Sequence, residues 1–242
     1  MKPIYSALLL FSFVYFLTAC KKDTTSSASS YTCASCKTTP DAVAANDASS
    51  KGVYKGVVIG STGTIMFDVL NSSNTITATM VIDGITVVLT SGITWSSGVP
   101  YVAPFTGMLN GSPVTITFEV DQDGGNPSVT SSDIPGHPSA QFTLAKETST
   151  ALIESFEGTY STTKPEKGTF NLLLSRKLLR FGGIDRKDGD TSIDHFDGSI
   201  SSDGKLMENG TTYIGTLNGD AINGKFKDSN GISVTVSGKR TL

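Results

Sequence analysis

Asn or Asp stands directly before Gly at Asp83-Gly84, Asn110-Gly111, Asp123-Gly124, Asp188-Gly189, Asp203-Gly204, Asn209-Gly210, Asn218-Gly219 and Asn230-Gly231, and the stretches between alternate apolar with polar. Val114, Ile116, Phe118 and Val120 take every second place in one stretch, Ile65, Phe67 and Val69 in another, and Ile232, Val234 and Val236 in a third. Alternation with period two puts one face of a strand in a core and the other in water. Asn or Asp before Gly tolerates the positive φ angles of tight hairpins. The two signals together predict an all-β fold of short antiparallel strands, built as meanders or small barrels. Not every pair is a turn: Asn223-Gly224 falls inside an expected strand.

The chain also copies itself. Gly52-Val53-Tyr54 returns as Gly158-Thr159-Tyr160, Gly63-Thr64-Ile65 as Gly168-Thr169-Phe170, and Phe105-Thr-Gly107-Met-Leu109-Asn110-Gly111 as Tyr213-Ile-Gly215-Thr-Leu217-Asn218-Gly219, at offsets of 105 to 108 residues. A near-constant offset implies two tandem antiparallel β repeats, 51–146 and 147–242. Two small barrels side by side are expected, with one larger barrel closed from both halves as the alternative. Leu152, Ile153 and Phe156 sit at helical spacing, so a short docked helix is expected within 148–157. An aromatic next but one to Gly lets a ring lie over the bare backbone of a neighbouring strand. Ile134-Pro135-Gly136-His137-Pro138 should be a loop, because its prolines end any ladder. The opening Gly-Val-Tyr, with Gly60-Ser61 and Thr64-Ile65, is similar to the first hairpin of avidin-like and lipocalin-like barrels, which implies a closed meander.

The amino-terminal end has a different texture. Lys2 precedes an uncharged run over residues 4–19, short for a spanning helix and fitting the apolar part of an export signal. Leu17-Thr18-Ala19-Cys20 resembles the lipobox of bacterial lipoproteins. That resemblance implies cleavage after residue 19, lipid on Cys20, and attachment to a membrane. Each buried lipid CH₂ contributes about 0.8 kcal/mol, so several acyl chains hold lastingly. Lys21-Lys22-Asp23 looks like the surface-export signal of lipoproteins in some Gram-negative bacteria. The implied address is the outer membrane, lipid-anchored, facing either the cell surface or the periplasm, since Lys21-Lys22-Asp23 reads equally as the charged start of a solvated tether. Residues 1–19 are then signal peptide and 20–50 a lipidated flexible tether, since twelve residues of 21–50 are Ser or Thr and no apolar periodicity appears. With Cys20 lipidated, Cys33 and Cys36 remain as an even pair, expected as a disulfide in an oxidising envelope. A redox CxxC would want a strand before it and a helix after it, and a zinc site two further ligands. Thr39-Pro40-Asp41 predicts a helix start, with about two turns before Asn46.

Chemistry is sparse. The net charge of −3 shows no basic face, so nucleic acid is not an expected partner. The chain has two His, His137 and His195, and neither lies in a recognisable nucleophile arrangement. The densest acidic stretch makes Asp185, Asp188, Asp190 and Asp194 calcium candidates. It lacks EF-hand spacing, and hairpin turns use the same residues. No metal or cofactor is expected. Trp95, Tyr101 and His137 are candidate ligand-binding residues; an aromatic platform of Trp95, Tyr101 and Phe105 would suit a glycan, while core packing is the competing reading of the same rings. The expected function is a non-catalytic binding or structural β module on an envelope lipoprotein, with an unspecified envelope-protein or glycan partner. The alternatives are a glycan- or small-ligand-binding barrel and a hydrolytic enzyme. A hollow barrel interior would favour the ligand.

Overall fold

The computed structural model describes residues 31–61 and 63–242. The signal segment, the Leu17–Cys20 motif and Lys21-Lys22-Asp23 lie outside the described residues. The first unit is built from β1 (Gly52–Ile59), β2 (Gly63–Val69), β3 (Ile76–Ile82), β4 (Ile85–Thr90), β5 (Tyr101–Leu109), β6 (Ser112–Val120), β7 (Ser128–Asp133) and β8 (Gln141–Glu147). The second is built from β9 (Glu154–Thr162), β10 (Lys167–Ser175), β11 (Arg180–Lys187), β12 (Asp194–Ile200), β13 (Lys205–Glu208), β14 (Thr212–Asn218), β15 (Ala221–Lys227) and β16 (Ser233–Arg240). The fold is therefore all-β, with two eight-stranded antiparallel sheets in tandem. In each, strands follow one another as a meander and the last strand returns to pair with the first. The second sheet is a closed barrel. The first runs β7-β6-β5-β4-β3-β2-β1-β8 and stays unladdered between β7 and β8.

The hairpin signals act as their chemistry demands. Asp83 and Gly84, Asn110 and Gly111, and Asn209 and Gly210 all take positive φ at tight turns. Asn223-Gly224 lies inside β15, as expected. Two local expectations give way. The segment 148–157 is not a helix: Thr148 bridges Ala151, and β9 begins at Glu154. Phe156, Gly158, Tyr160 and Thr162 form a period-two face, and pairing of β9 with both β10 and β16 closes the barrel. The motif Phe105–Gly111 joins the fifth and sixth strands of its unit, whereas Tyr213–Gly219 joins the sixth and seventh. A bulge beside Leu206 and Met207 makes Ile214 the extra residue. Phe105 is thus buried in its core, while Tyr213 bonds Thr216 on the outer side.

The two interiors differ. In the first, Tyr54, Phe67, Phe105 and Phe118 cross the lumen and meet one another, with Phe67 stacked on Phe118 at 4.4 Å and edge-on to Phe105 at 5.0 Å. In the second, inward positions opposite the rings are Gly, and each ring lies along the wall. Phe170 covers Gly158, Tyr160 covers Gly168, Phe196 covers Gly183 and Phe181 covers Gly198, so that a Cβ at any of the four would fall within 2.8 Å of a ring atom. This is the ring-over-glycine arrangement expected for Gly158-Thr159-Tyr160. Rings laid on bare backbone leave the centre of the barrel open.

The barrels pack through their outer faces, where Val57 and Ile59 of β1 meet Ile153, Leu173 of β10 and Ile184 of β11. Residues 31–50 are not a free tether; the structure corrects that expectation. Tyr31 Oη donates to the Arg240 carbonyl, Cys33 N to Asp220 (2.9 Å), Asp41 N to Glu147 (2.6 Å) and Val43 N to Asn71 (2.9 Å). The expected two-turn helix is a single 3₁₀ turn, Ala44–Asn46. Cys33 and Cys36 form a disulfide within this docked segment. Composition misleads here because the segment's stability comes from donors and acceptors placed by both barrels, and not from apolar surface of its own.

Candidate functional site

The open centre of the second barrel is a cavity of about 250 Å³. Its apolar lining is Phe170, Leu172, Phe196, Leu206, Ile214, Ile222, Phe226, Val234 and Val236, of which Phe226, Val234 and Val236 lie level with Thr162 and Tyr160 toward the open end. Below it, Phe156, Leu174, Phe181, Ile200 and Leu217 fill the barrel and close that end. An ion network seals the base: Arg240 lies 2.9 Å from Glu154 and 3.5 Å from Asp220, and Arg176 lies 2.8 Å from Glu154. The opposite end is the mouth, between the β9–β10, β11–β12, β13–β14 and β15–β16 turns.

The mouth is acidic. Glu166, Asp185, Asp194, Glu208 and Asp228 line it with Tyr160 and Thr162, and no lining side chain is basic. Two of the acids are engaged elsewhere. Glu166 pairs with Lys187 at 2.9 Å, and Asp228 accepts from Asn230 N and Ile232 N in its own turn. Asp185 and Asp194 are direct cross-strand partners, and Phe170 of β10 stands opposite Asp185 on its other side. Glu208 ends β13, next to β12. Among the described residues, no cation lies within ion-pair distance of Asp185, Asp194 or Glu208. Burial, then the charges of Asp194, Glu208 and Glu166, pushes Asp185 up to about 6. Burial, then the carboxylates around it, pushes Tyr160 up to about 12, so its hydroxyl stays neutral. Like charges directly across a sheet destabilise it. The fold thus holds negative potential over an apolar chamber, an arrangement a positive guest would relieve.

The residues singled out from the sequence are dispersed. The four calcium candidates separate: Asp185 and Asp194 face the lumen, Asp188 lies 3.5 Å from Lys167, and Asp190 accepts from Thr191 N and Ser192 N of its own turn. Among the described residues no three His, Cys, Asp or Glu groups are placed to hold a metal ion. Trp95, Tyr101 and Phe105 form no exposed platform. Trp95 packs on the first core and donates to Ser50 (2.8 Å) under Lys51, while Tyr101 and Phe105 are buried, with the Tyr101 hydroxyl on the Ile93 carbonyl. His137 lies 3.0 Å from Asp83 and ties the 134–138 loop to the β3–β4 turn. His195 is exposed on the outside of β12. Tyr160, Glu208, Phe226 and Ile214 of the cavity were not singled out. The signal for Glu208 was an acid on an apolar alternating face, in Leu206-Met-Glu208.

A second groove, at the closed end, is lined by Thr32, Pro40, Leu152, Arg176, Lys177 and Asp220. Arg176, Asp220, Glu154 and Arg240 are mutually paired there, so it is the junction between the docked segment and the barrel base. No protein-family model, curated protein or solved structure matches the chain.

Proposed function

We propose that this protein is a lipid-anchored envelope module that binds a small ligand, without catalysis, in its second barrel. The carrying observation is the contrast between two barrels of one chain: the first is filled by crossing aromatic rings, and the second keeps a cavity of about 250 Å³ behind a polar mouth. Small-molecule sites are concave and mostly apolar, with a few convergent polar groups. The first barrel serves as scaffold, sharing a buried face with the second and holding the docked 31–50 segment. Tyr31 meets the closed end of the second barrel.

Two experiments test the reading. Intact mass of the purified chain is expected to show a mature start at Cys20 carrying lipid, and no lipid on Cys20→Ser; an unlipidated mature chain would sink the anchor. For the cavity, saturation-transfer NMR on the full chain in lipid nanodiscs uses three phenyl probes of matched size, 2-phenethylammonium, 2-phenylethanol and 3-phenylpropionate, with empty nanodiscs as reference. At least one probe should bind, and Ile214→Trp should abolish its signal by occupying the lumen. Ile214→Trp should leave stability nearly unchanged. Ala78→Phe in the filled first barrel is expected to cost about 1–3 kcal/mol by overpacking. Silence of all three probes, or binding indifferent to Ile214→Trp, would refute a ligand site in the second barrel.

A further inference from the structure

Resting on that reading, we infer that the ligand is a compact hydrophobic ammonium compound, its apolar body in the chamber and its positive nitrogen among Asp185, Asp194 and Glu208. Three features converge on this class. The chamber is closed at its base by apolar side chains and the Arg240–Glu154 pair, so a guest enters body first and leaves its polar end at the mouth. The mouth offers carboxylates without a basic side chain among the lining groups, which repels carboxylate and phosphate guests. Phe170, Phe196 and Phe226 present aromatic surface just inside the acids, and a cation over such faces is stabilised further.

The cavity also sets the kind of amine. Strongly hydrated metal cations need several oxygen ligands in a fixed shell, and the described residues supply no such cluster. A polyamine would bring charge into the Leu172–Leu206–Ile222 depth, where nothing neutralises it. One charge at one end of an apolar body fits both regions.

The same three probes decide the class. Charged hydrogen bonds contribute more than neutral ones, so 2-phenethylammonium should bind about tenfold tighter than 2-phenylethanol, and 3-phenylpropionate should not compete. Asp185→Asn and Glu208→Gln should each remove most of the preference for the ammonium while retaining the alcohol. Asp194 is exposed at the mouth, so Asp194→Lys should fold and shift preference toward 3-phenylpropionate. If the alcohol or the carboxylate binds as well as the ammonium, or the preference survives all three substitutions, the ammonium assignment is wrong although the hollow-barrel reading stands. If no probe binds the unsubstituted chain, both fail.

Discussion

Glu147→Ala is expected to destabilise the protein by about 3 kcal/mol, because the buried Lys55 then keeps only the more distant Asp41, 3.6 Å away, as its counter-charge. Glu147 is fully buried at the end of β8, and its Oε2 lies 2.6 Å from Nζ of Lys55, itself only 2% exposed. The same carboxylate accepts from Asp41 N of the docked segment (2.6 Å) and from Ile153 N, just ahead of β9 (3.0 Å). One side chain therefore joins the amino-terminal segment, the first barrel and the entry to the second. Its loss should release residues 31–50 as well as lower global stability. The single Trp, Trp95, bonds Ser50 and sits under Lys51, so its fluorescence reports that release. Urea unfolding followed by Trp fluorescence and by circular dichroism would measure both effects. The double substitution Lys55→Met with Glu147→Leu should recover most of the stability, because both charges leave together. A Glu147→Ala protein within about 1 kcal/mol of the parent would show that the clasp is dispensable.

The second large effect is a reversed pH dependence. Asp185 titrates near 6 in the folded chain against an ordinary carboxylate value near 4 when unfolded. Between those values the folded state binds the extra proton, so stability falls as pH rises through the window. The groups facing Asp185 act in one direction: Asp194 on β12, Glu208 on β13 and Glu166 in the β9–β10 turn all oppose its ionisation. Tyr160 on β9 stays neutral there. Asp203 behaves oppositely and elsewhere: Lys205 and Ser201 hold it down to about 2, so its contribution is lost only at much lower pH. Asp185→Asn should therefore be more stable than the parent at pH 7.5, with the difference vanishing by pH 4. Binding of 2-phenethylammonium should weaken below pH 6, by up to about tenfold in total, as protonation of Asp185 removes the preference its charge supplies. Thermal melts and NMR titrations of parent and Asp185→Asn from pH 4 to 8 test both. Parallel profiles for the two proteins would remove Asp185 from the mouth's electrostatics.

Much of the fold is written locally. Val114-Thr-Ile116-Thr-Phe118 can bury its apolar side only as a strand, and Asn110-Gly111 and Asp83-Gly84 accept the backbone angles of a tight hairpin. Those signals come from residues one or two apart, and they yielded the strands, the antiparallel order and the division into two units. The site was only half legible. Asp185 and Asp194 drew attention as acids at close spacing, but spacing along the chain does not say which acids converge. Their register across β11 and β12 puts them opposite each other above an apolar chamber, while Asp188 and Asp190 stay in the turn.

What tertiary structure alone decided lies in sums over distant residues. Residues 31–50 look like a solvated tether because their partners, Asn71, Glu147, Asp220 and Arg240, lie elsewhere in the chain. Whether a barrel is full or hollow depends on where each ring falls relative to glycines of neighbouring strands, as Phe170 does on Gly158 and Phe196 on Gly183. Alternation states that a side chain points inward. It does not state how much room the other seven strands have left, and that remaining volume separates the scaffold barrel from the hollow one.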